Sequence, residues 1–129
     1  MKILLVDDDE ALAMIFGTAL KKEGFTVSTA ATGKNGLEMS KAEQPDFILL
    51  DQILPDMKGN DVLVSLKEDL DTSHIPVAML SNYGQTELVQ DAINHGAVDY
   101  ILKYQVEPQD LVKKVQELMK ENEATKPAA

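Results

Sequence analysis

A doubly wound α/β domain, one parallel sheet of five strands with helices on both faces, is predicted for this chain by three observations. Five short apolar runs alternate with stretches whose apolar residues recur at helical spacing. The runs are close to continuously apolar, as strands buried on both faces must be. No two runs are joined by a two-residue Asn-Gly or Asp-Gly turn, so crossovers connect them and not hairpins.

The first strand is residues 2–6, KILLV, which stops abruptly at Asp7, Asp8, Asp9 and Glu10. Leu12, Ile15, Phe16, Ala19 and Leu20 define the buried stripe of the first helix; Asp8 or Asp9 caps its start, and Lys21, Lys22 and Gly24 mark its stop. A strand over 25–29 follows, then Thr32-Gly33 opens a helix over 34–42. Next come a strand at 46–50, a helix at 60–67, a strand at 76–80 and a helix at 85–94 closed by Gly96. The last pair is a strand at 98–102 and a helix at 108–120. Pro108 sits at its first position, where a missing N–H costs nothing. Met14, Met39 and Met79 read as core filler, and His74 and His95 as surface residues.

The chain has 129 residues, 44% of them hydrophobic and 26% charged, which suits one domain over 1–120 with a flexible tail over 121–129. With no cysteine there is no disulfide framework, thiolate metal site or cysteine nucleophile. No apolar run approaches the ~20 residues that a membrane helix requires, and the N-terminus lacks a signal-peptide layout, so a soluble cytoplasmic protein is expected. A net charge of −10 argues against direct nucleic-acid binding, which needs clustered Lys and Arg.

Ligands of open α/β sheets bind beyond the carboxyl ends of the strands, where strand order reverses. Asp7 and Asp8 follow the first strand, Asp51 the third, Ser81 the fourth and Lys103 the fifth. With strand order 2-1-3-4-5, Asp7, Asp8 and Asp51 share one crevice. Three carboxylates that close are stable only if protonated or holding a cation, and hard oxygen ligands favour Mg2+. Lys103 and the Ser81 hydroxyl complete a pocket suited to phosphoryl oxygens.

Over residues 1–120 these positions resemble the receiver domains of two-component response regulators. Asp7 and Asp8 are similar to the family's acidic pair. Asp51 in FILLDQILPDMKG, with Pro55 and Gly59, is similar to its phosphoacceptor; Ser81 in PVAMLSN to its hydroxyl; Lys103 in DYILK to its lysine; and Tyr100 to its aromatic switch. The resemblance implies a flavodoxin-like sheet of order 2-1-3-4-5. It also implies that Asp51 takes a phosphoryl group from a phosphohistidine of a sensor histidine kinase or phosphotransfer protein. Mg2+ would be held by Asp8, Asp51 and the Ile53 backbone carbonyl, with Asp7 acting through water. Ser81, Lys103 and Tyr100 would then switch the face of the fourth helix, fifth strand and fifth helix toward a downstream effector, or toward a phosphorylation-dependent homodimer. Such a protein is a phosphoacceptor that assists its own phosphorylation and dephosphorylation, not an enzyme with turnover. Tyr100 reads equally as an edge-strand aromatic with its hydroxyl in water.

The sequence departs from the family in two places. Tyr104 stands where most receivers have proline, leaving the Lys103–Tyr104 peptide trans or strained, and Asn82 and Tyr83 follow Ser81 where a small residue is usual. Two rivals have different chemistry. A haloacid-dehalogenase-type phosphohydrolase would use Asp7 as nucleophile and Asp9 as acid/base, but needs a second acidic pair that Asp99, set before its strand's end, does not supply. A receiver-like docking module would never be phosphorylated.

Overall fold

The structure, a computed structural model, describes residues 1–125, with side chains described through residue 122. Its elements alternate as predicted: β1 (Lys2–Val6), α1 (Glu10–Lys22), β2 (Thr26–Ala30), α2 (Gly33–Glu43), β3 (Phe47–Leu50), α3 (Gly59–Glu68), β4 (Val77–Ser81), α4 (Thr86–Asn94), β5 (Asp99–Leu102) and α5 (Pro108–Thr125). The strands form one sheet of order β2-β1-β3-β4-β5, parallel throughout.

Strand alternation divides the core in two. Ile3, Leu5, Phe47, Leu49, Ala78 and Leu80 point toward α1 and α5, where Phe16, Leu20, Leu111 and Val115 meet them. Leu4, Val6, Ile48, Leu50, Val77 and Met79 point the other way, onto Val62, Leu63 and Leu66 of α3 and Ala92 of α4. All four residues of β3 have 0% exposure, so each side chain contributes about 1.5–3 kcal/mol of burial and the central strand is the rigid base of whatever follows it. β2, an edge strand, is only partly buried, which explains its polar Ser28 and Thr29.

Capping chemistry sets several ends. Asp9 accepts from the Leu12 N–H at 3.1 Å and Thr32 from the Asn35 N–H at 3.1 Å, so Asp9 is the cap of α1 and Asp8 is free of that task. Gly24 and Gly96 follow helices at φ 94° and 100°, conformations that side chains disfavour.

Three expectations need correction. Met14 and Ile15 are 71% and 51% exposed, because Ala13, Phe16, Gly17 and Leu20 make the buried face of α1; Met79 is core and Met39 packs at its margin. β4 runs one residue further than expected, so Ser81 ends the strand instead of following it. α5 continues five residues beyond its predicted end to Thr125, and the remainder of the predicted tail, 126–129, lies outside the described residues. His74 and His95 lie at the surface as expected, with His95 Nδ1 2.8 Å from the Asp91 carbonyl and 3.2 Å from the Asp91 carboxylate.

Candidate functional site

The sheet ladder itself aims the acidic residues. The Asp7 N–H donates to the Ala30 carbonyl and the Asp51 N–H to the Val6 carbonyl, each at 2.9 Å, so pairing continues one residue past β1 and β3. Neighbouring parallel strands thus deliver both carboxylates to one edge. Oxygens of Asp7, Asp8 and Asp51 lie within 4.8 Å of one another. Asp8 is exposed, whereas Asp7 and Asp51 are buried.

Lys103 reaches this cluster from the end of β5, where it starts a 3-10 turn over Lys103–Gln105. Its side chain is 4% exposed, with Nζ 2.8 Å from Asp7 Oδ2 and 3.2 Å from Asp51 Oδ2. Asp7 Oδ2 is buried without a well-aligned hydrogen bond, so its contact with Lys103 is an ion pair, while Asp7 Oδ1 accepts from the Asp9 N–H at 2.9 Å. No peptide bond among the described residues is cis, and Tyr104 points outward at 68% exposure, so the missing proline leaves the Lys103 amine in reach of both acids.

Burial pushes the Asp51 carboxyl up to about 6; the Asp7 charge adds to this, while Lys103 and the Gln52 N–H pull it down. For Lys103 burial works against the charged form, but the close Asp7 carboxylate and the charge of Asp51 outweigh it and raise its pKa. Three carboxylates face one ammonium. That donor set fits a hard divalent cation such as Mg2+.

A cleft of about 380 Å³ opens over the cluster, lined by Asp8, Asp9, Asp51, Ile53, Asn82, Tyr83 and Lys103. Ile53 is held in the loop after β3 by an antiparallel bridge to Lys58. Ser81 is fully buried and its Oγ accepts from the Tyr83 N–H at 3.0 Å. Tyr100 is half-buried against the α3 side of the core. Its hydroxyl is not simply in water: it donates to the Tyr83 carbonyl at 2.6 Å and accepts from Gln52 Nε2 at 3.3 Å. Asp99 is elsewhere, at the start of β5 and 3.2 Å from Lys114, so the acidic pair of a dehalogenase-type phosphohydrolase is not assembled.

The family model of the response regulator receiver domain matches residues 3–116. The chain belongs to this family. Receivers with similar sequence include that of the DNA-binding response regulator MtrA of Mycolicibacterium smegmatis, 36% identical over 122 residues, covering 95% of this chain and 52% of MtrA. The cell cycle transcriptional regulator CtrA of Caulobacter vibrioides is 38% identical over 103 residues, covering 80% of this chain and 44% of CtrA. The chain therefore spans about half the length of these curated relatives. A CheY-like receiver domain protein from Methanospirillum hungatei superimposes with a TM-score of 0.90 at 34% identity, over 97% of this chain and 98% of that one. The protein is thus a receiver domain of the two-component response-regulator type, and no described helix is long and apolar enough to cross a membrane.

Two residues of this receiver escaped the sequence reading. Gln52 and Asn60 are 0% and 6% exposed and hydrogen-bond to each other beside Asp51. In sequence they look like ordinary loop and helix-start polar residues, and nothing in their spacing signals burial.

Proposed function

We propose that Asp51 accepts a phosphoryl group from the phosphohistidine of a sensor histidine kinase or phosphotransfer protein in a Mg2+-dependent reaction. The observation that carries this is a carboxylate that lines an open cleft, flanked by two further acids and ion-paired to a buried lysine. An Asp51 oxygen attacks phosphorus, the P–N bond breaks as the P–O bond forms, and the histidine, protonated on its other ring nitrogen beforehand, leaves as neutral imidazole. Asp8, Asp51 and the Ile53 carbonyl would hold the metal, with Asp7 acting through water, and the bound ion would supply positive charge to the oxygens of the transferring group. Lys103 supplies the fixed positive charge on the other side, and Ser81, released from Tyr83, donates to a phosphoryl oxygen. Tyr100 and the loop after β4 respond, altering the α4–β5–α5 face for a downstream effector or a second receiver. The protein acts in the cytoplasm, and its charge of −10 makes this chain a protein-binding and not a DNA-binding partner.

Intact mass after incubation with acetyl phosphate tests the reading. Wild type gains one phosphoryl group only with Mg2+, and Asp51→Asn gains none under any condition. An Asp51→Asn chain that is modified as fully as wild type would remove Asp51 from the role, and an unmodifiable wild type would favour a docking module.

The acyl phosphate is comparatively long-lived, because Asn82, Tyr83 and the half-exposed Ile53 crowd the path of attacking water. In the Asn82→Ala, Tyr83→Ala variant dephosphorylation is expected to quicken about fivefold, roughly 1 kcal/mol in barrier. A half-life equal to wild type would discard this shielding.

Stability in metal-free buffer carries the mark of the raised Asp51 pKa. The folded chain keeps the proton up to about pH 6, whereas the unfolded chain releases it near the ordinary aspartate value of 3.8. Stability from this group is therefore present below pH 3.8 and lost as pH rises toward 6. Thermal melts without metal should show Asp51→Asn above wild type at pH 7.5, with the gap closing at pH 4, and Mg2+ should raise wild type at pH 7.5. An Asp51→Asn protein melting below wild type at pH 7.5 would contradict the linkage.

A further inference from the structure

Gln52 and Asn60 are buried polar side chains that the phosphoryl chemistry leaves without a task. Gln52 touches Asp51 through its backbone, the Gln52 N–H donating to Asp51 Oδ1 at 2.8 Å. It also builds the start of α3, whose N-cap Lys58 makes no side-chain cap hydrogen bond. The Gln52 carbonyl accepts from the Gly59 N–H at 2.6 Å and Gln52 Oε1 from the Asn60 N–H at 2.9 Å, which satisfies the first two N–H groups of that helix.

The side-chain amides continue the connection outward. Gln52 Nε2 donates to Asn60 Oδ1 at 2.9 Å and to the Tyr100 hydroxyl at 3.3 Å. Asn60 Nδ2 donates to Asp91 Oδ2 at 2.9 Å and to the Leu88 carbonyl at 3.3 Å, both on α4. Both hydrogens of each amide are engaged, so each carboxamide has a single orientation.

α4 is the element on which this matters. Ala92 is its only buried residue, so apolar packing alone leaves the helix loosely located. Two hydrogen bonds from Asn60 then decide where it sits. An apolar pair at positions 52 and 60 would fill the space without desolvating two amides, and what the amides add is direction.

We propose that Gln52 and Asn60 are positioning residues that carry the state of Asp51 to α4. The inference rests on Asp51 being the phosphoacceptor. When the carboxylate becomes an acyl phosphate, Oδ1 is a weaker acceptor, and the Gln52 N–H shifts. Gln52 has no slack, because its carbonyl and carboxamide are both bonded to α3, and Asn60 passes the displacement to Leu88 and Asp91.

The test uses the whole chain, Mg2+ and beryllofluoride, a stable stand-in for a phosphoryl group on a carboxylate, with amide NMR spectra of residues 86–94 as readout. In wild type, loading displaces these resonances. In Gln52→Met and in Asp91→Ala loading persists, but the displacement on α4 falls about fivefold, the lower end of usual coupling factors. Asp91→Asn, which keeps an acceptor oxygen for Asn60, retains the wild-type displacement, as does His95→Ala, which removes the other partner of Asp91. Asp91 is half exposed, so its variants fold even if Gln52→Met does not. An undiminished displacement in Asp91→Ala overturns the coupling alone. A wild type that does not load at Asp51 overturns the phosphoacceptor reading and the coupling with it.

Discussion

Lys103→Met should lower stability in metal-free buffer by about 3–5 kcal/mol, the cost of removing one partner from a buried ion pair. The lysine side chain is 4% exposed and is the cation within ion-pair distance of both Asp7 and Asp51 among the described residues. Methionine preserves most of the buried stem, so the loss isolates the charge. Two buried carboxylates are then left facing each other, and at this chain length 1 kcal/mol corresponds to roughly 3–5 °C in Tm, so a fall of about 10–25 °C is expected. Two additions should recover part of it. Mg2+ supplies positive charge to the same oxygens, and Asp7→Asn in the Lys103→Met background removes one of the repelling groups. Urea unfolding of wild type, Lys103→Met, Asp7→Asn and the double variant, with and without Mg2+, measures both. A loss under about 1 kcal/mol would mean that Lys103 is paired too loosely to hold the acids, as surface pairs are.

Gly59→Ala is the second large effect, and its cause is space. A Cβ on Gly59 would collide with the Asp51 carbonyl and stand 2.8 Å from Gln52 Cα and 2.9 Å from the Asp51 carbonyl carbon, all backbone atoms that no rotamer change can move. The loop after β3 returns this closely because the Gly59 N–H bonds the Gln52 carbonyl at 2.6 Å. A cost of about 3 kcal/mol, the upper end of the overpacking range, is expected, together with loss of Asp51 phosphorylation in the fraction that folds. Gly17→Ala in α1 is the control. Its Cβ would meet nothing nearer than Val27 Cγ1 at 3.7 Å, so it should be stabilising by about 0.5–1 kcal/mol through helix propensity. Equal melting curves for Gly59→Ala and wild type would refute the close-approach argument.

The fold was legible because its signals are local and redundant. Five continuous apolar runs required a sheet covered on both faces, and the observed strands differ from them by a residue or so at either end. Asp7, Asp8, Asp51 and Lys103 were legible for a related reason: in a parallel sheet every strand ends on the same edge, so residues that follow strands are neighbours whatever their separation in the chain. The errors fell where several solutions satisfy the same local pattern. Met14 and Ile15 fit a helical stripe as well as Ala13 and Gly17 do, and only the direction in which β1 and the Asp9 cap launch α1 decides which face is covered.

By itself, then, the chain's pattern determined the element order, the sheet, the acidic cluster and the lysine opposite it, since these depend on periodicity and on which residue follows which strand. Only the tertiary structure decided that Tyr100 is bonded to Tyr83 and Gln52, that Gly59 must lack a side chain, and that Gln52 and Asn60 join Asp51 to α4. Apart from the Gln52 N–H to its neighbour Asp51, those are contacts across 8 to 48 residues between amides, a hydroxyl, a carboxylate and backbone groups. Hydrogen bonding has no periodicity to read, and a polar residue destined for a buried partner looks in sequence the same as one destined for water.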